Sequence, residues 1–462
     1  MKEKKIFDAV TNVPDELVEE AKNTKLRKSY NPKTKWIVLA ACLALILGLS
    51  SVLPKLVNKQ GGALSDSNEA LLDVVFPNAY AFDDYDTWRE TRENNPIDEA
   101  FIKAINDFTY KTASQILSEQ NDNTNYSPLS LYYAMALAAS GAKGETADEL
   151  LALLGMPDQA SLSEQCGNLY RRLYIDNNIG KLQINNSLWM DNEIVWKDDF
   201  IRNAAENFYA YSFSEDFSDA KTAQLMAEWV SEKTNGTLKP EIKIDPEQIL
   251  SIINTIYFYD QWINEFDKSK TEEDVFYLSD ESTISCDFMN SISFTGFSKG
   301  NGFTRSSLGL KNRGSMVFIL PDEGRSPQEL LSTPEKLKEA FDGGEEGYGE
   351  VTWQIPKFNF GTSLELIDIL QQLGVNAAFK EEDADFSGIT DNVAFISKIR
   401  QETHIAIDEK GVEASSYTQI DYCGAGMPGD KADMILNRPF IFGIAAYDGT
   451  LLFIGVCENP VN

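Results

Sequence analysis

A single histidine, His404, serves all 462 residues. That scarcity excludes most acid–base catalysis and every histidine-rich metal site. Cysteine is nearly as sparse: Cys42, Cys166, Cys286, Cys423 and Cys457 include no C-x-x-C pair and lie too far apart for a structural zinc. Free, mostly buried thiols are expected, because a chain of this length can bury a core without disulfide staples. Basic charge is short as well, with 41 Lys and Arg against 72 Asp and Glu and a formal net charge of −31. Nucleic acid and anionic surfaces would repel such a body. No Gly-rich phosphate loop, H-E-x-x-H pair or EF-hand-like acidic loop occurs, so neither cofactor nor metal is expected.

The acidic balance fails only at the start. Lys22, Lys25, Arg27, Lys28, Lys33 and Lys35 form a basic run, and Trp36 to Leu53 follows as 18 residues without a charge. As a helix that run is about 27 Å long, close to a bilayer core of ~30 Å. A buried core helix of this length would carry a polar stripe, which is missing. The expectation is a membrane span of prokaryotic style over 36–53, with 1–35 as a cytoplasmic arm and all that follows outside the cell. Gly48, Ser50 and Ser51 leave open a cleaved signal and secretion. Cys42 ends a Leu39-Ala40-Ala41-Cys42 lipoprotein-like box, but most of the apolar run lies after it, so packing is its expected role. Residues 54–96 form an acidic tether whose second half carries Phe76, Tyr80, Phe82, Tyr85 and Trp88, rings able to pack on the folded body.

From Ile97 onward one folded domain runs to Asn462. Phe101, Ile102, Ile105, Phe108 and Thr112 recur at helical spacing. Ser127-Pro128 opens a helix over 129–155, and Gly361-Thr362-Ser363 opens another over 362–373. Strands are predicted over 181–190, 249–259, 315–320, 350–358, 394–407, 440–446 and 451–456. Helices early and strands late point to an α+β layer arrangement.

Gly296-Phe297-Ser298-Lys299-Gly300 fits the G-x-S-x-G pattern of a hydrolase, and Asp391 and His404 could complete its chain order. That elbow needs a helix straight after the serine, whereas Gly300-Asn301-Gly302 continues as a turn. His404 lies in the alternating run Thr403 to Ile407 and is expected to be a strand-face residue.

After Asp408-Glu409-Lys410-Gly411 the alternation changes character. Val412, Ala414, Ser416 and Thr418 share one face of a potential strand, with Glu413, Ser415, Tyr417 and Gln419 on the other. The first face is uniformly small or β-branched. Such a strand can enter a sheet over a packed core without overpacking it. Cys423 to Asp430, rich in Gly and Pro, makes an exposed, protease-accessible tip.

Several separated segments resemble the serpins from near Ile97 to Asn462. They are Asn125-Tyr126-Ser127-Pro128-Leu129-Ser130 with Ala139 to Thr146, Trp229 to Gly236, Asn254 to Phe258 with Trp262 and Phe266-Asp267, Leu320 to Glu323, Val351 to Phe358, Asn437-Arg438-Pro439-Phe440 and Phe453-Ile454-Gly455. The resemblance implies about eight to nine helices around three β-sheets, with a reactive-centre loop over about 411–434. It implies no enzyme but a monomeric, suicide-type inhibitor. A serine protease cuts the loop, is held as a covalent complex, and is carried off as the severed arm inserts into the sheet.

The resemblance also assigns positions. Glu409, Gly411, Val412, Glu413, Ala414, Ser415 and Ser416 form the hinge. Ser127, Ser130, Asn254 and Gln401 form the shutter under the parting strands, and Trp262 the breach where insertion starts. Gln401 stands where many members carry histidine, a departure at which a glutamine can still bridge the two strands by hydrogen bonds. Val412 stands where threonine or serine is commoner. Hinge length places the reactive bond at Ala425-Gly426, with Tyr422 and Met427 as alternatives, and small residues there suit an elastase-like or subtilisin-like protease. A non-inhibitory binding protein of the same fold is the alternative function.

Overall fold

Strand Thr283–Gly300 is 18 residues long and belongs to two faces at once. In the computed structural model, which describes residues 70–412 and 430–461, its even-numbered side chains are buried at Cys286 and Phe288, exposed at Ile292 and Phe294, and buried again at Ser298. Its first residues pair with Glu272–Tyr277 and its last with Phe303–Gly309, so one strand joins two sheet regions into one ladder.

Sixteen strands are described, in two hydrogen-bonded networks. The first contains β1 (Thr124–Tyr126), β6 (Glu272–Tyr277), β7 (Thr283–Gly300), β8 (Phe303–Gly309), β9 (Ser315–Pro321), β10 (Glu345–Pro356), β14 (Asp430–Ile435), β15 (Phe440–Ala445) and β16 (Leu451–Cys457). Its order is β1-β16-β15-β9-β8-β7-β10-β14, with β6 also on β7. The second contains β2 (Ile175–Asp176), β3 (Lys181–Asp191), β4 (Ala210–Glu215), β5 (Leu250–Gln261), β11 (Phe358–Glu365), β12 (Arg400–Ile407) and β13 (Gly411–Val412), in the order β11-β12-β13-β5-β3-β2 with β4 also on β3. The three sheets expected are thus present as two networks, because β7 is shared. Ten α-helices occur among the described residues, against the eight to nine expected, and the α+β arrangement holds.

Helix Pro128–Gly141 lies between the networks, against β5 and β16. It is apolar all round, as a helix packed on both sides must be. Ser127 caps it by accepting from the Ser130 N–H, and Pro128 occupies the first turn, where no donor is needed.

Four predicted boundaries move. The helix expected over 129–155 is two, Pro128–Gly141 and Gly144–Leu154, broken where Gly144 takes a φ of +51°. Residues 362–365 extend β11 instead of opening a helix, because pairing with β12 outweighs their capping character, and the helix is only Ile367–Gln372. The strand expected from Ala394 begins at Arg400. The run 350–358 is two strands separated at Lys357, just after Pro356, which lacks a ladder donor.

The second half of the tether is part of the body. Leu71 N–H donates to the Ser212 carbonyl at 2.7 Å, and Phe76 lies against Tyr174, Tyr209 and Tyr211. Helix Tyr85–Asn94, capped by Asp84, sets Trp88 edge-on to Tyr447 with the Arg92 and Arg313 guanidinium groups over its ring. The folded unit therefore takes in the chain from Ala70. Among the described residues no helix is long and apolar enough to cross a membrane, and the run 36–53 lies outside them. Cys166, Cys286 and Cys457 are free and buried, as expected.

Candidate functional site

Among the described residues, strands β5 and β12 are joined at one end, by the two residues of β13. Val412 pairs antiparallel with Ile407 of β12 and with Asp260 of β5, and Gly411 pairs with Gln261. Below that wedge, among the described residues, β5 is laddered only to β3, and β12 only to β11. Ile252, Asn254, Ile256 and Phe258 are only half-buried, although the three apolar ones pack against the main core. A cleft lined by Ile256, Phe258, Thr403, Ile405 and Val412 runs between the two strands, with Asn125 also in its lining. Among the described residues the ladder therefore has a slot between β5 and β12 beyond β13.

The wedge fixes the register of whatever continues it. Each residue gained past Val412 moves one back on both neighbours. A strand extended from Val412 places position 414 between Phe258 and Ile405, 416 between Ile256 and Thr403, and 418 between Asn254 and Gln401. Gln401, Thr403, Ile405 and Ile407 are all buried on one face of β12, so even positions of the entering strand also face inward. The small series Ala414, Ser416 and Thr418 matches that demand. Glu413, Ala414, Ser415, Ser416, Tyr422, Ala425, Gly426 and Met427 lie outside the described residues.

The slot's lower end is held by the start of helix Pro128–Gly141. Ser130 Oγ donates to Asn254 Oδ1, and Asn254 Nδ2 donates to Asn186 Oδ1 at 2.6 Å. Gln401 Oε1 accepts from the Ser127 N–H at 2.8 Å and its Nε2 donates to the Ser127 carbonyl at 2.9 Å. The structure thus brings together Ser127, Ser130, Asn254 and Gln401. Gln401 does not bridge the two strands: both ends of its amide are used on Ser127, so β12 and β5 are tied separately to the first turn of one helix.

Trp262 sits at the other end, 1% exposed. Its backbone N–H donates to the Lys410 carbonyl and its Nε1 to the Asp408 carbonyl, both at 2.9 Å, and its ring meets Phe266 edge-on. Glu409 is buried beside it and accepts from Thr271 Oγ1 at 2.9 Å and Lys357 Nζ at 3.2 Å. Burial acts to raise the Glu409 pKa, but these hydrogen bonds and the Lys357 charge carry it below the ordinary value. Gly411 runs so close to the Asp260 carbonyl that no Cβ fits. The hinge root is therefore clamped by an indole, an ion pair and a glycine contact.

Asp260, Lys357 and Asn186 carry this geometry and were not singled out by the sequence. A polar residue inside an otherwise apolar strand, such as Asp260 after Tyr259 or Asn185-Asn186 in 181–190, was the available signal. Burial pushes the Asp260 carboxyl up to about 6, against the opposing pull of the Asn312 side chain and backbone, the Gln261 N–H and the Lys311 charge. A folded-state value raised above the ordinary 3.8 means that Asp260 supports the fold fully below 3.8 and that this support is lost as pH rises through about 6. A rise of that size corresponds to roughly 3 kcal/mol. Denaturant midpoints measured from pH 4 to 7 should therefore fall in the native chain relative to Asp260→Asn; parallel profiles would contradict this assignment.

The hydrolase pattern has no site behind it. Ser298 lies inside β7 with its Oγ accepting from Arg305 Nη2 at 2.9 Å, and the chain returns through a turn into β8. Asp391 pairs with Lys197 at 2.8 Å, and His404 is bonded to Asn359 Oδ1 at 2.7 Å, with burial lowering its pKa.

Residues 103–460 match the family model described as serpin (serine protease inhibitor). The chain belongs to the serpin family. An uncharacterized serpin-like protein of Methanosarcina acetivorans is 32% identical to this serpin over 379 residues, covering 77% of this chain and 85% of the relative. Among solved structures, the native state of the thermophilic serpin tengpin matches with a TM-score of 0.73 at 28% identity, covering 85% of this chain and all of that one. Human thyroxine-binding globulin, in its thyroxine complex, matches with a TM-score of 0.70 at 24% identity over 79% of this chain and all of its own, a likeness of fold alone. The family's serpins are protease inhibitors and not enzymes.

Proposed function

We propose that this serpin inhibits serine proteases by loop cleavage, trapping of the acyl-enzyme and strand insertion. The observation that carries this reading is the slot between β5 and β12, already started at one end by Gly411 and Val412 and continued in the sequence by a face small enough to fill it. Inserting about 15 residues at ~3.3 Å each displaces the acylated end by roughly 50 Å. Each ladder bond gained contributes about 0.5–1.5 kcal/mol, and an entering strand gains them on both edges, enough in sum to distort a bound protease.

The proposed reactive bond is Ala425-Gly426, with Tyr422 and Met427 as alternatives, and its small residues favour elastase-like or subtilisin-like enzymes. The apolar run 36–53 behind its basic flank is proposed to hold the inhibitor as a single-pass protein on the outer side of a membrane, a reading that rests on sequence. Incubation with pancreatic elastase and with subtilisin tests the inhibitory mechanism. A complex that survives denaturing electrophoresis is expected, together with a released C-terminal fragment beginning at Gly426. Clean loop cleavage with full residual protease activity from every enzyme tried would favour a non-inhibitory binding protein instead.

A further inference from the structure

Strand β5 buries an acid opposite the loop root. Asp260 is 1% exposed, its backbone pairs with Val412, and Gly411 runs against its carbonyl. Dipoles meet the carboxyl: Oδ2 accepts from the Asn312 N–H at 3.0 Å, and Oδ1 from Asn312 Nδ2 at 2.9 Å and the Gln261 N–H at 2.8 Å. Asn312 belongs to the turn between β8 and β9, and that turn holds the end of β5 throughout. The Lys311 N–H donates to the Gln261 carbonyl and the Ile263 N–H to the Gly309 carbonyl, both at 2.9 Å, while Leu310 bridges to Trp262. The Trp262 N–H is in turn bonded to the Lys410 carbonyl. The turn and the loop root therefore grip the same few residues, 260–263, with the Asp260 carboxyl bonded to the turn.

The charges around it are engaged with other partners. On the turn, the Lys311 ammonium pulls on Asp260 but is shared between Glu265 at 3.1 Å and Gln261 Oε1 at 2.8 Å, and Arg313 donates to the Phe82 carbonyl. On the root, Asp408 Oδ1 accepts from the Lys410 and Gly411 N–H groups, and Glu409 is paired with Lys357. At the start of β3, Gly180 lies so close to Asp260 that a Cβ there would touch Oδ1, and the neighbouring Lys181 is paired with Asp176. Ionised Asp260 thus has hydrogen bonds but no counter-ion of its own, and burial disfavours the charge.

We infer that Asp260 is a proton-operated catch on the loop root: when protonated it lets the turn, β5 and β13 close on one another, and when ionised it favours the opening of that contact, where water reaches the carboxyl. With the root closed the group titrates near 6, against an ordinary 3.8 once exposed. Between those values an opened root releases a proton that the closed root retains, so opening grows as pH rises and levels off above the closed-state value. From pH 5 to pH 7 the opening equilibrium should rise about tenfold. In acidic surroundings the start of β13 stays fastened, and at neutral pH it is free to lead the strand in. That last consequence rests on the insertion mechanism proposed above; the opening itself needs no protease.

Hydrogen exchange of the full chain at pH 5, 6 and 7, read by mass spectrometry and corrected for intrinsic rates, tests the catch. Protection of the segment 408–412 is expected to fall about tenfold from pH 5 to pH 7 in the native chain and to stay level in Asp260→Asn. Helix Gly144–Leu154, remote from the root, should show no such change in either. A level profile in the native chain, or the same fall in both chains, overturns the catch. A fall of equal size in β16 would make Asp260 a group for overall stability and overturns it as well. Should Asp260→Asn fail to fold, Asn312→Ala decides: it removes two bonds to the ionised form, so the fall must move to higher pH, and an unmoved fall overturns the assignment. A chain whose root switches but which forms no covalent complex with elastase or subtilisin would keep the catch and lose the inhibitory reading.

Discussion

Ala414→Arg is expected to abolish the protease complex while leaving the loop fully cleavable. Insertion in the register set by Val412 would carry position 414 between Phe258 and Ile405, on the face where Ile405 is buried. A guanidinium carried there meets apolar side chains and no carboxylate, so the entering strand either stops after its second residue or buries an unpaired charge. Burial of an isolated charge costs far more than the roughly 1 kcal/mol gained at each ladder bond, and insertion therefore stalls at its start. Deacylation then outruns trapping. On a denaturing gel the covalent band should disappear, the cleaved chain should accumulate in full, and protease activity should recover completely. Native stability should stay close to wild type, because the change acts on the inserted state. Persistence of the complex at wild-type stoichiometry would show that position 414 does not enter the slot.

Trp262→Ala should give the largest loss of native stability. The indole is buried at the end of the slot, packed on Phe266, and donates to the Asp408 carbonyl at 2.9 Å. Truncating it leaves a cavity and an unpaired carbonyl, a cost of about 3–5 kcal/mol, which lowers the melting temperature by on the order of 10 °C. Trp262→Phe separates the two contributions. It restores most of the packing but not the bond to Asp408, so melting should largely recover. The hinge root remains less firmly held, and inhibitory capacity should decay faster on storage than in the wild type. Equal decay in Trp262→Phe and wild type would assign the indole N–H no part in holding the root.

Much of this site was legible because its determinants are local. Alternation alone separates Gln401, Thr403, Ile405 and Ile407 as the buried face of β12, and the structure buries all four. The cap and proline at Ser127-Pro128 announce the helix that holds the slot's lower end. What the sequence did not show depends on long-range pairing. Residues 362–365 carry helix-start chemistry and still become strand, since their partners are 400–403. Gln401 was legible as polar and central, but its partner is decided by which of two neighbours lies within reach, and that neighbour is Ser127. The slot itself depends on how β5 and β12, far apart in the chain, are brought alongside one another, and no local pattern gives that.

The bond between Leu71 and Ser212 has a mechanical meaning. Ser212 belongs to β4, which pairs with β3, and β3 in turn pairs with β5. A pull on the chain ahead of Ala70 loads β4 and the ring cluster around Phe76, two strands away from the slot. Were the proposed anchor present, tension along the chain would reach β4 at the margin of the sheet first, with β3 between that load and β5.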